Sequence, residues 1–261
     1  MKHFVAAFAV AIGLISSLSA QEGKKTPKIL VITESKGFVH SVVKRPKPEE
    51  LCTVEKALIE LGKKTGAFEA VVTQDSRNAI NEENLKKYAA VYFYTTGELP
   101  LSDTQKADLL GFIRSGGGFA GNHCATDTFY KWAEYGNMIG GYFDGHPWHE
   151  KIKVIVEDKN HPASKPFGDT FEITDEIYQF KGPYDRTNLH VLMKMDTNSV
   201  KKEGKRQDKD YALAWTKDYG KGRVFYSAFG HREEVWKDER FLAHMLGGLK
   251  YAMGVSGSDG K

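Results

Sequence analysis

The sequence is poor in cysteine. Cys52 and Cys124 are the only two among 261 residues, too few for a disulfide framework, and no CxxC pair is present to form a zinc ribbon or a dithiol redox motif. It is also poor in charge of one sign: 37 basic against 34 acidic residues leave a net +3, and the basic residues form no stripe. One local patch, Lys201-Lys202 with Lys205-Arg206, is broken by Glu203 and reads as a solvated loop. No nucleic-acid or membrane-surface partner is therefore indicated. The apolar run from Phe4 to Ile15 falls short of the about 20 residues that span a bilayer core. There is no HExxH or comparable metal pattern, and no internal repeat, heptad or low-complexity block.

What is there begins with Met1-Lys2-His3, that short apolar run, and then Ser16-Ser17-Leu18-Ser19-Ala20. A basic start, an apolar core and small residues before a polar stretch predict a signal peptide over residues 1–20, cleaved near Ala20. The junction has no cysteine to carry a lipid. The mature protein is thus expected to be periplasmic or secreted, with a linker over 21–27, one domain over 28–253 and a disordered tail over 254–261. Hydrophobic residues at 41% and charged residues at 27% suit an ordinary globular domain.

Lys28 to Thr33 is a short β-branched apolar run, the pattern of a buried strand. A polar loop from Glu34 to Pro48 follows, and Glu49 to Lys64 reads as an amphipathic helix that includes Cys52. Strands are expected at Phe68–Thr73, Ala89–Tyr94 and Gly118–Gly121, with a short helix over 82–88 and a helix capped by Ser102 and running to Arg114. The second half alternates polar and apolar residues at 151–157 and 171–180. It continues with strands at 190–195, 211–216 and 223–228 and a last helix over 238–253. Helices alternating with strands, then strands alone, predict an α/β fold: a doubly wound, flavodoxin-like, mainly parallel sheet covered by helices, with an antiparallel extension. Ligands of such sheets sit at the carboxyl ends of the strands. That selects the loops 34–48, 95–101, 122–128 and 229–233, three of which carry a histidine: His40, His123 and His231.

Gly116-Gly-Gly-Phe-Ala-Gly-Asn-His-Cys-Ala-Thr-Asp127 describes a sharp strand-to-helix elbow that lifts one side chain above the sheet. The G-x-S-x-G form is met only in outline, with His123 at the centre and Cys124 one place later. A nucleophilic Cys124 would need a partner that lowers its pKa, and a small buried thiol is the preferred reading. His123 is the better candidate. Gly141-Tyr-Phe-Asp-Gly-His-Pro-Trp-His149 brings His146, Trp148 and His149 close to Asp144 and Phe143, and Pro147 favours a loop there. Histidine is a frequent ligand of divalent metals, so a divalent metal is left open and none is specified. Asp175, Glu176 and Tyr178 fall together in Phe171 to Tyr178. A carboxylate with two or three histidines can run acid–base chemistry near neutral pH.

These segments resemble the ThuA-like family, named for trehalose utilisation and related in fold to class I glutamine amidotransferases. The resemblance spans roughly residues 28 to 253. It rests on Lys28–Thr33 with Phe38 and His40, the elbow 116–127, Gly140-Gly-Tyr-Phe with His146, His161-Pro162, Asp175-Glu176-Ile-Tyr178, and Gly222-Arg-Val-Phe-Tyr with Gly230-His231. The amidotransferase cysteine–histidine–glutamate arrangement is lacking, so glutamine hydrolysis does not carry over. The resemblance implies a role in bacterial carbohydrate use, including 3-keto sugars. It makes His40, His123, Glu176 and His231 the catalytic candidates.

The leading expectation is a carbohydrate-processing enzyme, a lyase, hydrolase or isomerase of an oxidised (3-keto) sugar or glycoside. Asp127, His146, Trp148, His149 and Tyr178, with Phe143, would border the substrate. The alternatives are a non-catalytic periplasmic sugar-binding protein and a hydrolase using Cys124. A shared small-molecule site requires His40, His123, Glu176 and His231 to converge, and side chains more than about 12 Å apart could not share one substrate. The partner expected is a small sugar, and the sequence does not specify the oligomeric state.

Overall fold

A computed structural model of the chain describes residues 25–255. The expected signal peptide and residues 256–261 lie outside the described residues. Strand β1 (Lys28–Ile32) buries Ile29, Leu30, Val31 and Ile32 completely or nearly so, as a central parallel strand must. Helix α1 (Thr53–Thr65) begins later than its apolar pattern suggests. Pro46 and Pro48 hold the approach out of helix, and the Glu55 carboxylate turns back to accept the Cys52 amide in a capping box. Cys52 is therefore the cap and not a helical residue.

After β2 (Glu69–Thr73) comes a one-turn helix that the sequence reading does not include, α2 (Ser76–Ala79), and the helix expected over 82–88 is the single turn α3 (Glu82–Leu85). Asp75 and Asn81 each accept a backbone N–H and so cap the start of α2 and of α3. Strand β3 (Ala90–Phe93) leads to α4 (Asp103–Arg114), which opens on a Ser102–Gln105 capping box as the sequence indicates. Strand β4 (Gly118–Asn122), α5 (Ala133–Ile139), β5 (Tyr142–Phe143), β6 (Trp148–Val156), β7 (Thr170–Ile177), β8 (Phe180–Lys181), β9 (His190–Met195), β10 (Ala212–Tyr219), β11 (Gly222–Ser227) and α6 (Glu239–Ala252) complete the order. Gly254 and Val255, expected in the tail, close α6 in a Schellman turn. Val255 donates to the Lys250 carbonyl and Gly254, at φ 70°, to that of Tyr251.

Nine strands form one sheet in the order β2-β1-β3-β4-β11-β10-β9-β6-β7. The first five run parallel, and the remaining four alternate in direction, which is the antiparallel extension. By this parity the C-terminal end of β7 points the same way as those of β1, β3, β4 and β11. In a flat sheet β4 and β7, five places apart, would be separated by about 24 Å. Sheet curvature removes that distance: Asp175 in β7 accepts N–H bonds from Gly230 (2.6 Å) and Arg232 (3.1 Å) in the loop after β11. The β6–β7 hairpin thus folds over the carboxyl ends of the parallel strands.

The loops at those ends are tied together by bridges pairing Ser35 with Thr96 and Gly97 with Thr128. Gly97 is indispensable here. Its φ is 76°, and a Cβ would stand 2.6 Å from the Gly37 nitrogen. No helix among the described residues is long and apolar enough to cross a membrane.

Candidate functional site

His123 is the first residue past β4 and has φ 45°, a left-handed conformation that disfavours a side chain by about 1–2 kcal/mol. Its surroundings hold it there. The Tyr226 hydroxyl donates to its carbonyl (2.6 Å), and the Asn122 amide next to it donates to the carbonyls of Ser227 (3.0 Å) and Phe229 (2.7 Å). Tyr92 donates to the Asn122 oxygen (2.9 Å). The His123 Nδ1 lies 2.7 Å from the Ala228 carbonyl, which can only accept, so Nδ1 donates there and Nε2 is left facing the site. The elbow is real, but a five-residue 3-10 turn (His123–Asp127) follows it and not an α-helix.

The loop after β11 delivers His231. Gly230, at φ 104°, is fixed by its carbonyl, which accepts from Tyr94 Oη (3.0 Å) and Trp236 Nε1 (2.9 Å), and by its amide, which donates to Asp175. His231 Nδ1 then stands 3.1 Å from Glu176 Oε2, and His123 Nε2 stands 3.3 Å from the same oxygen. The two ring nitrogens are 3.3 Å apart. His40 arrives from the loop after β1, its ring 5.0 Å from that of His123 and 5.2 Å from that of His231. One ligand-capable atom from each of His40, His123, Glu176 and His231 lies within 4.8 Å of all the others.

Electrostatics at this cluster follow from burial. Burial and the neighbouring His123 and His231 drive the His40 pKa down to about 3, and its Nδ1 is buried without a hydrogen-bond partner. Burial also works to raise the Glu176 carboxyl, but hydrogen bonds and charge from His123 and His231 outweigh it and hold the group well below the usual carboxylate range. Glu176 is thus an ionised group among imidazoles. The opposite carboxylate, Asp175, is raised by burial against the pull of His123 and of the two amides it braces.

Other expected residues fall in three places. His146 and His149 reach the rim. His146 Nδ1 is 3.3 Å from Glu176 Oε1, and the His149 ring is 5.0 Å from that of His231 with its Nε2 accepting from Arg232 Nε. Asp127 is also at the rim, accepting from Tyr130 Oη (2.6 Å), with its carboxyl raised by burial. Tyr178 is buried behind His123, ring centroids 4.2 Å apart, and backs that ring more than it faces solvent. Trp148 must be corrected. In β6 it points to the face opposite His149, buried against Tyr211 and donating to the Lys202 carbonyl, so it does not border the cluster. Cys124 is fully buried with its thiol pushed well up by burial, which removes it as a thiolate nucleophile. Both cysteines are free.

Four residues take roles that no local pattern specifies. Asn122 was visible inside the elbow, but its role depends on carbonyls 105 and 107 residues away. Asp175 was read beside Glu176, yet its grip on the His231 loop needed the sheet's curvature. Phe38 and Val39 are large apolar side chains left 66% and 52% exposed, and the Phe38 ring stands 4.9 Å from that of His40. No sequence signal marks that exposure.

Fold and site together define an α/β protein of class I glutamine amidotransferase-like architecture in which a histidine–carboxylate cluster crowns the strand ends. The chain belongs to the ThuA family, described as trehalose utilisation, whose model matches residues 28–252. Two solved structures with this fold are ThuA-like proteins. That from Bacteroides uniformis is 19% identical, with a TM-score of 0.67, covering 89% of this chain and 94% of its own. That from Parabacteroides merdae is 18% identical, with a TM-score of 0.67 and coverages of 91% and 93%. PurLQS from Thermotoga maritima shares the fold more distantly, at 13% identity and a TM-score of 0.50, over 87% of this chain and 99% of its own. No curated protein matches the sequence.

Proposed function

We propose that the chain processes an oxidised sugar or glycoside bearing a 3-keto group, by proton transfer at the histidine–carboxylate cluster, and that it does so as an exported protein. The carbohydrate-related role comes with the family. The observation that supports the finer reading is the meeting of His123, His231 and Glu176 at 3.1–3.3 Å, from three separate segments: the turn after β4, the loop after β11 and β7. A ketone acidifies the neighbouring C–H bonds, so a base within hydrogen-bond reach can start an elimination or isomerisation.

The residues divide the work by exposure. The His231 side chain, the most open of the central four at 21%, is the group that takes the proton, and Glu176 beside it orients the ring and stabilises the imidazolium that forms. His40, kept neutral by burial, is a poor base near neutral pH and serves as a hydrogen-bonding wall. Phe38 and Phe143 flank the entrance as faces for a sugar ring, with Asp127, His146 and His149 placed to bond its hydroxyls.

The experiment is incubation of the purified protein with 3-keto-trehalose and, separately, unmodified trehalose, following substrate loss by chromatography. Loss of the keto sugar alone is expected. Calorimetric binding of the unmodified disaccharide without turnover of either would replace this reading with that of a sugar-binding protein.

A further inference from the structure

We infer that His40, His123, His231 and Glu176 form a binding site for one divalent first-row transition metal ion. The proposal rests on these residues being the working site, and it adds the cofactor that the site would take. The convergence of four ligand-type side chains is what carries it. His123 spends Nδ1 on the Ala228 carbonyl, which leaves Nε2 directed inward. Glu176 Oε2 lies 3.3 Å from that nitrogen. His231 Nδ1 lies 3.1 Å from the same oxygen, and His40 Nδ1 is buried without a hydrogen-bond partner. One ligand-capable atom from each of four side chains thus lies within 4.8 Å of the others, and the buried His40 nitrogen has no other partner to account for it.

Geometry agrees with an ion at that point. Ligands about 2.1 Å from a shared cation stand roughly 3.0–3.4 Å apart when adjacent. The three short edges are 3.1, 3.3 and 3.3 Å, and the whole set stays within 4.8 Å. The hydrogen bond from the far nitrogen of His123 to a backbone carbonyl is the outer-shell support that ligating histidines use to fix ring and tautomer. Asp175, holding the His231 loop through two amides, gives the second histidine a comparable brace.

Donor chemistry narrows the ion. Three imidazoles and one carboxylate suit zinc, iron, cobalt, nickel or manganese, whereas magnesium and calcium prefer all-oxygen sets. Such an ion would polarise a ketone oxygen, and proton transfer would then pass to a rim group such as His146, 3.3 Å from the other oxygen of Glu176.

The test uses the purified chain without a histidine tag, treated with a chelator and titrated calorimetrically with Zn2+, Mn2+ and Mg2+, with Co2+ loading followed by visible absorption. One ion per chain is expected for Zn2+ or Mn2+, none for Mg2+, and Co2+ should give bands of a nitrogen-coordinated ion. Glu176→Gln and His231→Ala should weaken binding by at least about 100-fold, more than loss of an outer-shell partner does. His190→Ala, a surface histidine, should leave it unchanged, and circular dichroism melts identify any variant that has not folded. If Glu176→Gln or His231→Ala is unfolded, His40→Gln takes its place with the same expectation. Absence of stoichiometric binding by the wild-type chain, or equal binding by the folded variants, would overturn the proposal. Stoichiometric binding without turnover of the keto sugar would support the proposal and sink only the acid–base reading.

Discussion

His244 and His123 are both fully buried histidines next to β11, yet they are built to opposite ends. His244, on α6, satisfies both nitrogens: Nδ1 meets the Ala163 carbonyl at 2.7 Å and Nε2 the Ser227 hydroxyl at 2.9 Å. Its ring is enclosed by Phe167, Phe225 and Phe241. His123 satisfies one nitrogen in the same way and turns the other toward Glu176 and His231. Burial alone therefore does not mark a working histidine. What separates the two is whether the second nitrogen is closed off by a structural partner or shared among groups from other strands.

The largest way to sharpen this contrast is by activity. Glu176→Gln and His231→Ala should lower keto-sugar turnover by about 10²–10⁴-fold, the range for lost acid–base catalysis, with thermal unfolding nearly unchanged. His244→Ala should do the reverse, destabilising the fold by about 2–4 kcal/mol through a lost buried ring and its hydrogen bonds, while turnover per folded molecule stays at the wild-type level. If His244→Ala abolishes turnover in folded protein, the contrast fails.

A pH series tests the structural side next. Burial drives His244 and His161 down to about 4, below the roughly 6.5 of an unfolded histidine. Above pH 6.5 both rings are neutral in both states and add no pH dependence. Between pH 6.5 and 4 the unfolded chain binds protons that the folded chain refuses, so stability falls as pH falls, about tenfold in the folding constant per pH unit for each ring, and levels off below 4. Denaturant midpoints should show this slope, and His244→Gln should remove its own share of it.

A smaller effect is expected at Asp175. Asp175→Asn keeps the shape but weakens the hold on Gly230 and Arg232, so kcat should drop by about tenfold with KM little moved, as for loss of positioning without loss of contact. Smallest of all, iodoacetamide should neither label Cys124 in the native protein nor change turnover, since the thiol is buried and protonated. Mass spectrometry of the treated chain checks both.

Much of this was legible in the sequence because it is local. The β-branched run at 28–32, the Ser102 cap and the glycine-bounded elbow specify their own conformations, and the strand-end rule then picked three of the four loops that matter. Glu176 stands out in the sequence beside Asp175 and Tyr178, but only the resemblance joins it to the three histidines, because β7 meets the parallel strands through curvature of a nine-stranded sheet. Trp148 shows the same limit from the other side: next to Pro147 it read as loop, whereas one residue of strand alternation turns it away from the cluster and His149 toward it. Long-range closure, not local propensity, decides those positions.

The central claim is that the cluster moves a proton on a carbon next to a ketone. Proton NMR of a 3-keto sugar in D2O with wild-type protein and with Glu176→Gln measures that step, whatever product follows. The account predicts loss of the C–H signal beside the ketone, by exchange or by reaction, at a rate at least about 100-fold faster with wild type than with the variant. Equal rates for the two folded proteins, matching the rate without protein, would contradict it.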